Sequence, residues 1–185
     1  YCEMFNVKPI LINYHSDYKL NYEELIRSIN EDTAIVFLPN PNVPIHGTIE
    51  LDKIKSLAEL CMEKNVLLAL DEVYYPFSTI TGIKLIYDFS NVLVMRSFSK
   101  AFGLAGIRLG YMIGNNDIID YVSKTRTGYE SNSISIEIAS FFIDNYTVIL
   151  DYVQEVKEGL DFLKSELDTL NIENNGGYTG NNIFI

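Results

Sequence analysis

Short apolar runs, several closing on a polar residue, alternate with helical patterns along this chain. That alternation confines it to an α/β fold with a largely parallel sheet. Ala34 to Leu38, Val66 to Leu70 and Val92 to Arg96 are such runs; Pro9 to Asn13 reads as a strand ahead of them, and Leu109 to Ile113 as one closed by Gly114. Asn21 and Glu24 stand at the cap and third positions of a helix between the first two. Ile54, Leu57, Ala58 and Cys61 recur at helical spacing, so 51–64 is a helix with one buried stripe, ended at Asn65. Residues 116–126 and 133–145 also read as helices. Thr147 to Leu170 carries a longer helical pattern with charges on one face, suited to joining a second domain, and Asn171 to Asn182 is a loop rich in Asn and Gly. Open sheets of this kind bind ligands outside the carboxyl ends of their strands, which is where Asp71 and Ser97 fall.

Composition narrows the partners. A chain of 185 residues buries one good core and part of a second. Its net charge of −11 argues against nucleic acid or an anionic membrane, since both need a basic face, while leaving room for a small anion held locally. Cys2 and Cys61 form neither a disulfide framework nor a metal spacing. No charged-then-apolar leader and no long apolar run is present, and the chain reads as cytoplasmic. Tyr1 to Phe5 resembles the last turns of a helix and Asn182 to Ile185 stops within a strand, so the chain is expected to be a fragment.

The chemistry concentrates in Ser97-Phe-Ser-Lys100-Ala-Phe-Gly103-Leu-Ala-Gly106-Ile-Arg108-Leu-Gly110. A lysine that attacks a carbonyl must lose its proton, and burial or a neighbouring cation lowers its pKa enough to allow it. Hydroxyls, free backbone N–H groups and a guanidinium are what a phosphate dianion needs. One segment therefore offers a Schiff-base nucleophile and a phosphate cradle together, the combination suited to pyridoxal 5'-phosphate. Asp71 is either a helix cap or loop carboxylate, or the acid that keeps such a cofactor's ring protonated. Tyr74 is one of 13 tyrosines and would otherwise pack under its loop. Arg96 fits a pairing with a carboxylate.

The segment resembles the lysine signature of the class I/II pyridoxal-phosphate aminotransferases, and its wording is most similar to the histidinol-phosphate aminotransferase branch. Asp71-Glu72-Val73-Tyr74 is similar to that family's Asp-Glu-Ala-Tyr. Asn40-Pro41-Asn42-Val43-Pro44-Ile45-His46-Gly47 resembles its Asn-Pro-Asn-X-Pro-Thr-Gly loop, with Ile45-His46-Gly47 departing from the pattern by one added residue. The resemblance implies a fold type I large domain, an α/β structure with a mostly parallel, mixed sheet between helices, lacking its N-terminal part and most of its small domain. Residues 1–146 would be the cofactor-binding large domain, 147–170 a connecting helix and 171–185 the start of the small domain.

The resemblance also implies roles. Lys100 would hold the cofactor as a Schiff base and then act as general base and acid. Asp71 would pair with the pyridine nitrogen. Tyr74 and Asn42, with Asn40 behind it, would bond the phenolate oxygen. Ser97, Ser99 and Arg108 would grip the phosphate, while His46 is more often bland at such a position. Tyr129 and Asn132 fit the branch's substrate motif, but Glu130 stands where that motif has an asparagine. The reaction implied moves an amino group from an amino-phosphate such as histidinol phosphate, or from an aromatic amino acid, to 2-oxoglutarate, in a homodimer. Two alternatives stand beside it: a decarboxylase of the phosphothreonine type, and an inactive fragment of the same fold. A plain nucleotide-binding protein is disfavoured, since no Gly-x-Gly-x-x-Gly follows a strand.

Overall fold

The computed structural model describes residues 2–128, 130–176 and 178–185. Its centre is a four-stranded sheet in the order β1 (Ile35–Pro39), β2 (Leu67–Asp71), β3 (Val92–Ser97) and β4 (Gly110–Gly114). The first three strands run parallel and β4 returns antiparallel to β3, so the sheet is mixed as expected. Helix α1 (Tyr22–Ser28) starts as its sequence predicts. The Asn21 side chain accepts from the Glu24 N–H at 3.1 Å, and its amide donates back to the Glu24 carboxylate at 2.9 Å.

Helix α2 (Leu51–Glu63) covers one face of the sheet with Ile54, Leu57, Ala58 and Cys61. They pack with Val36 and Leu38 of β1, Leu68 and Leu70 of β2, and Val92 and Val94 of β3. Asn65 takes a left-handed φ of +55° just after the helix, and Val66 N–H closes back on the Cys61 carbonyl at 2.8 Å, which turns the chain into β2. On the other face, Phe37 and Met112 remain 60% and 48% exposed.

A second apolar cluster forms where α4 (Ser133–Asp144) and α5 (Tyr146–Thr169) meet the loops after β2 and β3, and it includes Phe77, Phe98, Phe102, Ala139, Ile149 and Val153. Helix α3 (Asn116–Ser123) connects β4 to this region. A two-stranded antiparallel ribbon, β5 (Asn175–Gly176) with β6 (Ile183–Phe184), follows α5. No single helix among the described residues is long and apolar enough to cross a membrane; α4 and α5 approach that only as a pair bent by 81°.

One expectation needs correction. Pro9 to Asn13 forms no strand: the segment is extended but unpaired among the described residues, with Leu11 79% exposed. A strand needs a neighbour for its N–H and C=O groups, and Pro9 lacks one N–H of its own. Residues 2–6 close as the end of a helix does, in line with the sequence: Val7 N–H bonds the Cys2 carbonyl at 2.8 Å, Asn6 N–H the Glu3 carbonyl at 3.1 Å, and Asn6 takes a left-handed φ of +53°.

Candidate active site

Three loops meet at the carboxyl ends of β1, β2 and β3. They are tied edge to edge by backbone bonds: Asn40 N–H donates to the Asp71 carbonyl at 2.9 Å, and Glu72 N–H to the Met95 carbonyl at 2.8 Å. Side chains alternate across a strand, so Asp71 and Ser97 share one face of the sheet and Glu72 and Arg96 the other.

The loop after β3 winds tightly. Leu104 N–H bonds the Phe98 carbonyl at 3.0 Å and Gly103 N–H the Lys100 carbonyl at 3.0 Å. Gly103 sits at φ +67°, a conformation a side chain disfavours. This winding brings Lys100 back over the strand tips. Its ammonium lies 5.2 Å from the centre of the Tyr74 ring, and its charge acts on the Asp71 carboxylate. Ser97 Oγ accepts from the Ser99 N–H at 3.0 Å, so the two serines flank one turn. Phe98 and Ala101 beneath it are buried, which fixes the loop from below.

Asp71 is half-buried. Burial pushes its carboxyl above the usual carboxylate range, while the Val73 N–H, 3.1 Å from Oδ1, and the charge on Lys100 pull it down.

The other expected residues are placed less uniformly. Asn42 is half-buried, and its amide donates to the Tyr14 hydroxyl; its backbone N–H bonds the Gly47 carbonyl at 2.7 Å, closing the loop. Asn40 is consumed structurally: Oδ1 accepts from the Ile49 N–H at 2.8 Å and Nδ2 donates to the Ile49 carbonyl at 3.3 Å. Arg108 is exposed at φ +53°, with its guanidinium donating to the Ala105 carbonyl at 3.1 Å. Asn132 caps α4, accepting from the Ser135 N–H at 2.9 Å, and Ser135 Oγ in turn donates to the Ile107 carbonyl at 2.9 Å. Asn132 is thereby tied to the loop that carries Arg108. Tyr129 lies outside the described residues. Glu130 is ion-paired with Arg126.

Sequence reasoning missed three features. Tyr14, the partner of Asn42, carries no local signal among so many tyrosines. His46 is enclosed by the ribbon segment: Thr179 Oγ1 lies 3.3 Å from Nδ1, and a Cβ on Gly176 would fall 2.2 Å from the ring. Burial pushes this imidazole below its ordinary range, opposed by hydrogen bonding with Asn182. The third is the carboxylate that Arg96 meets, which is Glu72, at 3.0 Å from Nη2. A cavity of about 520 Å³ lies beside Arg96, lined by Tyr75, Phe98, Phe102, Tyr111 and Tyr146 among others. Lys100 and Asp71 do not line it, so it is not where the amine and the acid meet.

Lys100 and Asp71 stand at the tips of an α/β sheet, beside a turn of serines, in the place where open sheets of this class take their ligands. The comparisons make this specific. The chain belongs to the aminotransferase class I and II family, whose model matches residues 1–179. It is 32% identical to histidinol-phosphate aminotransferase 2 of Legionella pneumophila (strain Paris), over 85% of this chain and 43% of that protein. The structure of histidinol-phosphate aminotransferase from Sinorhizobium meliloti, in complex with pyridoxal-5'-phosphate, superposes with a TM-score of 0.83 at 22% identity, covering 94% of this chain and 48% of the other. That of L-threonine-O-3-phosphate decarboxylase from Porphyromonas gingivalis gives 0.78 at 22% identity, covering 96% and 53%. The chain spans less than half the length of the curated relatives it matches.

The family depends on pyridoxal 5'-phosphate, and the residues present suit it. An acid kept partly desolvated is a partner for a ring N–H, Lys100 stands beside Tyr74 three residues on from that acid, and nothing lies within 4 Å of the positions a Cβ would take on Gly103 and Gly106, leaving open space beside the serine turn.

Proposed function

We propose that the protein is a pyridoxal-phosphate-dependent aminotransferase, with Lys100 as the covalent anchor and the base that moves the proton. The observation that carries this reading is the approach of Lys100, 5.2 Å from the centre of the Tyr74 ring, at the tips of the strands that carry Asp71 and Ser97. When bound, the cofactor supplies an aldehyde carbon for the donor amine and a pyridinium ring that takes up the electron pair released at the substrate Cα.

The chain's own groups do the rest. Asp71 accepts the ring N–H, and Lys100 offset by that carboxylate holds its amine where a proton at Cα passes to Nζ. Tyr74 and Asn42 supply donors for the phenolate oxygen. Ser97, the Ser99 turn and Arg108 hold the phosphate, Arg108 exchanging its Ala105 contact for a phosphate oxygen. Tyr129 and Asn132 are assigned to the substrate side. The donor is an amino-phosphate such as histidinol phosphate, or an aromatic amino acid, and 2-oxoglutarate is the acceptor. The enzyme is a cytoplasmic homodimer; exposed Ile134, Phe141 and Ile143 on α4 support an apolar contact with a second copy. Residues 1–146 form the cofactor-binding domain, 147–170 the connecting helix and 171–185 the entry to a second domain.

Borohydride reduction of the full-length protein with pyridoxal 5'-phosphate, followed by peptide mapping, is expected to leave a pyridoxyl group on Lys100. Incubation with histidinol phosphate, phenylalanine and phosphothreonine is then expected to yield glutamate from 2-oxoglutarate. An unlabelled Lys100 defeats the reading, and release of carbon dioxide in place of amino transfer makes the protein a decarboxylase.

A further inference from the structure

We propose that Glu72 and Arg96 are positioning residues: a buried ion pair on the reverse face of the sheet that sets where Asp71 and Ser97 point on the site face. The inference rests on the assignment of Asp71 and Lys100 above. The two charges are nearly sealed from water, with side-chain exposures of 8% for Arg96 and 2% for Glu72. Glu72 Oε2 accepts from Arg96 Nε at 3.1 Å, from Arg96 Nη2 at 3.0 Å and from Thr81 Oγ1 at 2.8 Å; Oε1 accepts from the Gly82 N–H at 2.6 Å. Arg96 Nη2 also donates to Thr81 Oγ1 at 2.9 Å, and the guanidinium lies 3.5 Å from the centre of the Tyr75 ring.

A buried pair of this kind is a poor source of net stability, because desolvation offsets most of its attraction. What it supplies is geometry. Asp71 and Met95 are register partners, so Glu72 comes level with Arg96 one residue beyond the last paired position of β2. Asp71 is the peptide neighbour of Glu72, and Ser97 that of Arg96. Two Arg96 donors on the single oxygen Oε2, with Oε1 held by the Gly82 N–H, therefore fix the rotation of both strand ends, and with it the aim of the first pair. Tyr75, one residue from Tyr74, is clamped by the same guanidinium. The carboxylate on the ring side, the phenol on the lysine side and the phosphate turn are thus all one peptide unit from this network.

The test uses the full-length protein, titrating the visible absorbance band of bound pyridoxal 5'-phosphate against pH and measuring the cofactor dissociation constant in parallel. A well-placed Asp71 keeps the ring protonated, which withdraws electrons and lowers the basicity of the nitrogen bonded to Lys100. Glu72→Gln is expected to move the band's pH midpoint upward by half a unit or more and to weaken cofactor binding about tenfold. Leu57→Ala, a core change remote from the pair, is expected to lower thermal stability and leave the midpoint where it was. If Glu72→Gln does not fold, Thr81→Val removes one bond from each partner and is expected to shift the midpoint the same way by a smaller amount. A folded variant with wild-type midpoint and affinity overturns this inference alone. Wild-type protein that takes up no pyridoxal 5'-phosphate overturns the functional reading as well.

Discussion

Asn40→Ala and Asn42→Ala separate two asparagines that sit two residues apart and do different work. The Asn40 side chain bonds both backbone groups of Ile49, and both residues are buried. Removing it strands an N–H and a C=O. An unsatisfied buried group costs about 1–3 kcal/mol. The Nδ2 bond is long at 3.3 Å and Ile49 retains 9% exposure, so the lower half of that range applies to each. The sum is about 2–4 kcal/mol. With a urea slope of roughly 2 kcal/mol per molar, the unfolding midpoint falls by about 1–2 M. Asn42 gives up one bond to the Tyr14 hydroxyl, which is half-buried and turns to water instead, so its loss stays under about 1 kcal/mol. Cofactor affinity is expected to run the other way, reduced several-fold in Asn42→Ala and retained in Asn40→Ala once folded. Urea unfolding of the two apo variants beside the wild type decides it. Equal midpoints, or a larger fall for Asn42→Ala, would refute the division of labour.

Three further outcomes follow from single sites. Burial raises the Cys61 thiol to about 11, so at pH 8 a disulfide reagent is expected to titrate the exposed Cys2 in the native state and both thiols only after denaturation. The His46 imidazole is held below its ordinary range, so the neutral form stabilises the clasp above that range and stability is lost as pH falls through the lowered value; limited proteolysis is expected to cut the 175–182 segment faster at pH 5 than at pH 7.5. A Cβ on Gly110 would meet the Arg96 carbonyl oxygen at 2.9 Å, a backbone atom that cannot swing away, so Gly110→Ala is expected to lower the melting temperature with a cost of about 1–3 kcal/mol.

Much of this was legible because it is local. Apolar runs with polar ends marked β1, β2 and β3, and the spacing of Ile54, Leu57, Ala58 and Cys61 gave the buried stripe of α2. Asn21 and Glu24 marked the start of α1, where Asn21 caps the helix as read and its amide, not its backbone N–H, meets the Glu24 carboxylate. The failures lie where a residue's role depends on something distant in the chain. Pro9 to Asn13 has strand composition, yet pairing is a property of two segments and only one is in the pattern. Asn40 and Asn42 are chemically equal in sequence, and only the position of Ile49 decides which is spent on the backbone.

The acids at the end of β2 teach the most. Asp71 and Glu72 are adjacent, and sequence reasoning assigned the first while leaving the second without a role. Alternation alone sends them to opposite faces. The same holds for Arg96 and Ser97 at the end of β3. Two neighbouring parallel strands that each end in a polar pair therefore present one polar residue of each pair to the site and one to the opposite side. Arg96 and Glu72 on that side are buried, Arg96 against the Tyr75 ring and beside Phe98 and Phe102, where a lone charge is untenable. Once Asp71 and Ser97 are placed at the site, opposite charges at 72 and 96 are what the buried side requires, and the chain supplies them.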